Sequence, residues 1–336
     1  MMKAWIPWVL AIACFWVGGS PAARVGAEPK IVIRYATLAP PQSAFGKILK
    51  AWGRSFEKET EGRAEFRFYA GGSQGDERDV IRKMRAGQID SAGMTTVGLG
   101  IIVRPILVMS APGVIQTYEE LGRVREKMDA RFGKMFEDAG FVLLAWSDAG
   151  KGRIMSTAPI LKPADLKAHR PWAWKDDPIF LEFLKVVGAN PVRLGIGEVY
   201  PGLQTKMIDV VPVSAIGAVA LQWFTKLKYV SKDSFGIIVG ASIVKKEKFD
   251  QLSPEDQEIL LRTAKRAAHA LDKVVRKDDV EAYQVMIRRG IEVTDTEPYR
   301  AEWDKAAKET RARLTGRIYS KSLLAEVQAA AKQPSP

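Results

Sequence analysis

The sequence has almost no cysteine or histidine. One cysteine, Cys14, and two histidines, His169 and His269, occur among 336 residues. A single thiol cannot close an internal disulfide or build a thiolate metal site. Two histidines leave little scope for imidazole acid–base chemistry. Neither a G-x-G-x-x-G run nor a P-loop is present, which argues against the common nucleotide cradles. A metal site would have to come from carboxylates such as Asp176 and Asp177, a pair read more simply as a solvated helix start. No internal repeat and no low-complexity linker interrupts the chain, so any two domains are joined by strands or a helix.

The residues that are present begin with a targeting pattern. Met1-Met2-Lys3 is a short basic start, and residues 5–17 form an uncharged apolar run too short to span a bilayer comfortably. Val25-Gly26-Ala27 then offers a small-x-small cleavage site, giving residues 1–27 the layout of a secretory signal and implying a periplasmic protein. Cleavage near Ala27 is favoured over lipid attachment at Cys14, because the residues before Cys14 fit a lipoprotein site poorly. It would remove the only cysteine. A chain of about three hundred residues buries enough apolar area to fold without disulfides. The formal charge is +12, and losing Lys3 and Arg24 leaves 12 − 2 = +10. Acidic residues are interspersed throughout, so this is a mixed surface with a basic bias and not a nucleic-acid tail.

Periodicity predicts strand and helix in alternation. Residues 31–36 and 65–69 read as strands. Phe45, Ile48, Leu49, Trp52 and Phe56 recur at helical spacing between them. A second helix over residues 76–85, a strand at 89–94 and the polar turn Thr95-Thr96 follow. Thr117 with Glu120 makes a capping box, and residues 141–146 form an apolar strand. The alternation argues an α/β fold with a largely parallel sheet. Further strands fall at 191–194, 208–213 and 235–244, with helices at 179–187 and 198–205. Ser253-Pro254-Glu255-Asp256 is a strong helix start, and no breaker follows until Gly290. A helix of that length reaches about 50 Å, enough to run across two domains.

Residues 162–209 hold the main binding candidates. Arg170 sits between a short helical run and Trp172-Ala173-Trp174, and arginine is the side chain best shaped for two-point recognition of a carboxylate. The bland alternative is a surface cation whose stem covers apolar area. Trp172 and Trp174 alternate, so they point to one side of a strand, as core or as the wall of a pocket. Trp52 and Trp303 read as core. Gly71-Gly72-Ser73-Gln74-Gly75 matches a G-x-S-x-G nucleophile elbow, the best enzyme signal present. A charged residue, Arg67, in the preceding strand favours a plain glycine-rich turn instead.

The ordered segments IRYATLAPPQSAFGKILKAW, YAGGSQGDERDVIRKMRAGQID, KPADLKAHRPW, GANPVRLGIGEVYPGLQTKMID and LSPEDQE together resemble the periplasmic solute-binding subunits of tripartite ATP-independent periplasmic (TRAP) transporters, the DctP family. The likeness covers nearly all of the chain after the leader. It implies a two-domain periplasmic-binding-protein clamshell with a long helix spanning both domains. The implied division puts 28–149 and 236–270 in domain I and 150–235 and 271–336 in domain II, with helix 254–289 shared. It implies a non-enzymatic protein without cofactor or metal. It further implies hinge closure on a small organic acid and delivery to TRAP membrane permease subunits. Arg170 takes the place of the carboxylate clamp, and Arg153 of a second basic position. Thr95, Thr96, Gln42 and Phe45 line the first-domain side, and Trp172, Trp174, Tyr200, Asp209 and Val213 the second. Where the family pattern has glycine and polar residues after the aspartate, this chain has Val210-Val211-Pro212-Val213. The expectation is a monocarboxylate with an apolar or aromatic body. The alternatives are a carrier of a lipid or other apolar ligand, with Arg170 only structural, and a secreted serine hydrolase using Ser73.

Overall fold

The computed structural model describes residues 30–333, so the expected signal segment and Cys14 lie outside the described residues. The first lobe begins with β1 (Ile31–Thr37), α1 (Ala44–Glu59), β2 (Ala64–Tyr69), α2 (Glu77–Arg85), β3 (Ser91–Thr95), α3 (Thr96–Ile102) and α4 (Tyr118–Asp138). Most of these helices start on side-chain caps. Ser43 Oγ accepts from Gly46 N at 3.2 Å, and Thr117 and Glu120 form the reciprocal box that the sequence predicts. The strand β4 (Phe141–Ser156) then leaves this lobe and enters the second. There lie β5 (Trp172–Trp174), α5 (Pro178–Val186), β6 (Val192–Leu194), α6 (Val199–Gln204), β7 (Val210–Ser214), α7 (Ala215–Ala220) and β8 (Tyr229–Ser231). The chain returns along β9 (Gly236–Lys245) and the one-turn α8 (Lys246–Phe249). It crosses again on α9 (Pro254–Arg288), continues with β10 (Glu292–Thr294) and α10 (Arg300–Leu314), and ends back on the first lobe with α11 (Lys321–Lys332), which packs on α4.

One eight-stranded sheet runs through both lobes in the order β10-β8-β4-β9-β3-β1-β2, with β7 also paired to β4. Periodicity alone predicts a largely parallel sheet, and the structure corrects this. β1 is parallel to β2 and β3, but β4 is antiparallel to β9, β7 and β8, and β3 is antiparallel to β9. The two long strands cross between lobes in opposite directions, so each separates parallel pairs. β4 is 16 residues long, well beyond the apolar run at 141–146, because its second half alternates buried and half-buried positions instead of running apolar throughout.

Apolar residues gather in separate clusters on the two sides. Val80, Met84, Leu99 and Phe132 mark one in the first lobe; Trp172, Leu203, Val211 and Val230 mark one in the second. The helix α9 packs on the second of these and on a further first-lobe cluster, burying Met286 in the former and Leu260 and Ala264 with Trp52 and Phe56 in the latter. Its start has the predicted form: Asp256 N donates to Ser253 Oγ at 3.1 Å, and Pro254 occupies the first turn. Among the described residues no helix is long and apolar enough to cross a membrane.

Candidate functional site

A cavity of about 970 Å³ lies between the lobes. The first lobe contributes Phe45, Met94, Thr95 and Thr96, and the second Trp172, Trp174, Phe180 and Val213. The wall is set by local sequence. Alternation in β5 puts both indoles on one side of the strand, their rings 6.1 Å apart at 34°. Their polar ends are tied: Trp172 Nε1 donates to Leu194 O at 3.0 Å and Trp174 Nε1 to Asp76 Oδ2 at 2.9 Å. The helix α5, apolar at nearly every position, buries one face in its lobe and turns Phe180 and Phe183 to the cavity. These rings stack at 5.9 Å, and Phe183 stacks on Trp303 at 6.1 Å.

On the first-lobe side, the polar turn is organised by Glu77. Its carboxylate is buried and accepts from Thr95 N at 2.6 Å, Thr95 Oγ1 at 2.9 Å and Gly98 N at 2.7 Å. Burial pushes its pKa up to about 8, against the opposing pull of those donors. Thr96 Oγ1 lies 2.6 Å from Ser110 Oγ. Three cations reach the cavity wall, and each has a carboxylate partner. Arg78 pairs with Asp176, Lys175 with Glu198 at 2.6 Å, and Arg300 with Glu297 and, at 3.5 Å, Asp233. Among the described residues no group of three or more His, Cys, Asp or Glu side chains could hold a metal ion.

The structure therefore brings together Phe45, Thr95, Thr96, Trp172, Trp174 and Val213. It places the other sequence candidates outside the lining. Arg170 N and Nε donate to Asp209 at 2.7 and 3.2 Å, and Asp209 N donates back to Arg170 O at 3.1 Å. That closed ring ties the loop before β5 to the start of β7 and turns the guanidinium outward, with the side chain 55% exposed. Arg153 is held over the Tyr283 ring at 4.3 Å and donates to Ser231 O at 3.3 Å. Tyr200 stands under Lys226 in the second-lobe cluster, and Gln42 is exposed. His169 Nδ1 lies 3.7 Å from Asp209 Oδ2. Ser73 is exposed on its turn, is not part of the lining, and makes no hydrogen bond with a histidine among the described residues.

Sequence reasoning missed Glu77, Phe180, Phe183 and the cavity face of Trp303. Only α5 carried a signal, since PIFLEFLKV is apolar on more sides than one lobe can cover.

Residues 35–316 match the model of the DctP family, described as bacterial extracellular solute-binding protein, family 7. A solute-binding protein of Chromohalobacter salexigens is 25% identical over 266 residues, covering 77% of this chain and 78% of its own. The 2,3-diketo-L-gulonate-binding periplasmic protein of Escherichia coli is 27% identical over 251 residues, covering 73% and 75%. Among solved structures, a TRAP periplasmic solute-binding protein of Ralstonia eutropha with bound (S)-2-acetolactate has a TM-score of 0.84. It is 23% identical, with 90% of this chain and 99% of that one covered. The extent of the family match settles the assignment: the chain belongs to the DctP family of bacterial extracellular solute-binding proteins.

Proposed function

We propose that this protein is the periplasmic solute-binding subunit of a TRAP transporter, and that it captures an organic acid with an apolar or aromatic body and delivers it to the membrane permease subunits. The supporting observation is the indole wall. Trp172 and Trp174 are fixed at both polar ends and stand in a cavity of about 970 Å³ between two lobes. Rigid aromatic surface opposite a few hydroxyls suits a ligand whose body packs and whose polar end is fixed by few contacts. Relatives and neighbours of this chain include proteins named for 2,3-diketo-L-gulonate and solved with D-glucuronate or acetolactate, all of them acids. The acid end is assigned here to the wall cations Lys175, Arg78 and Arg300 in place of Arg170. The Lys175 and Arg300 ion pairs are exposed, and such pairs hold by only about 0–1 kcal/mol, so a ligand carboxylate can take one over. A thermal-shift panel tests this. Arylacetates and other apolar monocarboxylates are expected to stabilise the protein more than D-glucuronate or succinate; the reverse order rejects the apolar body.

A second reading, a carrier of a lipid or other apolar ligand, is favoured by the pairing of Arg170 with Asp209 outside the lining. Stabilisation by fatty alcohols equal to that by the matching acids would support it.

A further inference from the structure

The lobes meet at one rim of the cavity, through residues that also form its wall. Asp76, on the turn before α2 in the first lobe, places Oδ2 between two donors of the second lobe: Trp174 Nε1 at 2.9 Å and Ile196 N at 3.0 Å. Its other oxygen accepts from Glu77 N at 2.7 Å, at the start of its own helix. Two residues on, Arg78 Nε donates to Asp176 Oδ1 at 2.7 Å, again from first lobe to second. The approach is close: a Cβ at Gly195 would stand 2.9 Å from Asp76 Oδ2 and 3.2 Å from Glu198 Oε2, so the Asp76 carboxylate would have to shift. Trp172 is the contrast, because its indole N–H is spent within the second lobe, on Leu194 O.

We propose that Trp174 couples occupancy of the cavity to closure of the lobes. The proposal rests on reading the cavity as the solute site and adds the residue through which the solute's body is sensed. The ring of Trp174 is wall; its N–H is a bond that exists only when the lobes are together. A solute packed on the ring holds the side chain in the orientation that reaches Asp76. The ordering cost of the interlobe bond is then already met when the lobes close. A ligand shifts an equilibrium only by its differential affinity for the two states. A planar body that stacks on Trp174 gains in the closed state alone, so planar-bodied acids close the lobes more firmly than flexible ones of equal charge. Asp76, tied to Trp174, Ile196 and its own helix start, supplies the fixed end of the latch.

Three variants of the full-length protein test this. Trp174→Phe keeps a ring and removes the N–H. Gly195→Ala displaces the Asp76 carboxylate and leaves both indoles intact. Trp172→Phe removes an indole N–H that does not cross the cleft. Small-angle X-ray scattering on the ligand-free proteins reads lobe opening, and stopped-flow release of indole-3-acetate reads the closed state. Trp174→Phe and Gly195→Ala are both expected to enlarge the radius of gyration. Both should also speed release about tenfold, the loss of one hydrogen bond to a charged group. Trp172→Phe is expected to leave the ligand-free radius unchanged. Scattering from Trp174→Phe and Gly195→Ala superimposable on wild type overturns the proposal, as does equal opening in Trp172→Phe, which would mark a packing effect. If indole-3-acetate does not bind the wild type, the acid reading fails while the scattering comparison still decides the latch. Should one variant not fold, the other carries the same comparison.

Discussion

Arg170 and Asp209 are 39 positions apart, yet each satisfies the other's backbone and side chain. An arginine beside two tryptophans looks like a ligand fork in sequence, and the partner that engages it here lies far along the chain. Asp209 is largely buried, its side chain 11% exposed, so removing Arg170 leaves a carboxylate with fewer partners. Arg170→Ala is expected to cost about 1–2 kcal/mol of stability and to leave solute affinity essentially unchanged. Chemical denaturation and isothermal calorimetry check the two halves, and lost binding without lost stability would return Arg170 to the site. Glu77 carries a pH prediction. Burial raises its folded pKa from its ordinary value of 4.5 to about 8. A raised folded pKa contributes stability that is complete below 4.5 and is lost as pH rises toward 8. Melting temperature should therefore fall across that window, and Glu77→Gln should flatten the fall. Asp177, Asp272 and Asp279, also raised by burial, keep a residual slope. An unaltered slope in Glu77→Gln would show that Glu77 titrates in its ordinary range.

At the scale of elements, the crossing strand β4 is the decisive piece. Its register against β9 shifts between Asp148 and Lys151, where Gly150 adopts φ +95°. Carboxylates of α9 take up the loosened amides: Asp272 accepts from Asp148 N at 2.7 Å and Asp279 from Lys151 N at 3.0 Å, while Asp279 also accepts from Ile216 N of α7 at 3.0 Å. The long helix thus grips the strand where it passes between lobes. A Cβ at 150 would lie 2.7 Å from Asp279 Oδ1 and from Ser214 Cβ. Gly150→Ala is expected to cost roughly 1–3 kcal/mol through backbone strain alone, and Asp279→Ala a similar amount through two unmatched amides. Equilibrium urea unfolding checks both. The ends of α9 were legible from Ser253-Pro254 and Gly290, because caps are local chemistry. Asp272 and Asp279 were not, because nothing in a helix repeat tells which carboxylate meets a strand amide.

The whole molecule joins the apolar clusters of its two lobes by β4, β9 and α9, with the cavity between. A solute that binds the closed form alone must stabilise the protein by mass action, about 2.7 kcal/mol at a hundredfold excess over Kd. It must also draw the lobes together. Differential scanning calorimetry and scattering should therefore respond together as the acid is titrated. Thermal stabilisation with no change in radius would mean that the lobes do not move on binding.

By itself the sequence determined what short-range physics controls. Alternation set Trp172 and Trp174 on one face, side-chain oxygens set the helix starts, and an uninterrupted periodic run set the length of α9. The ordered motifs pointed to the clamshell. Only the tertiary structure decided which side chains pair. It gave Arg170 to Asp209, turned Trp303 to the cavity beside Phe183, and carried Asp76 across the cleft to Trp174. Those choices depend on groups brought together from distant positions, where the energy of a contact is set by burial and geometry that no local pattern encodes.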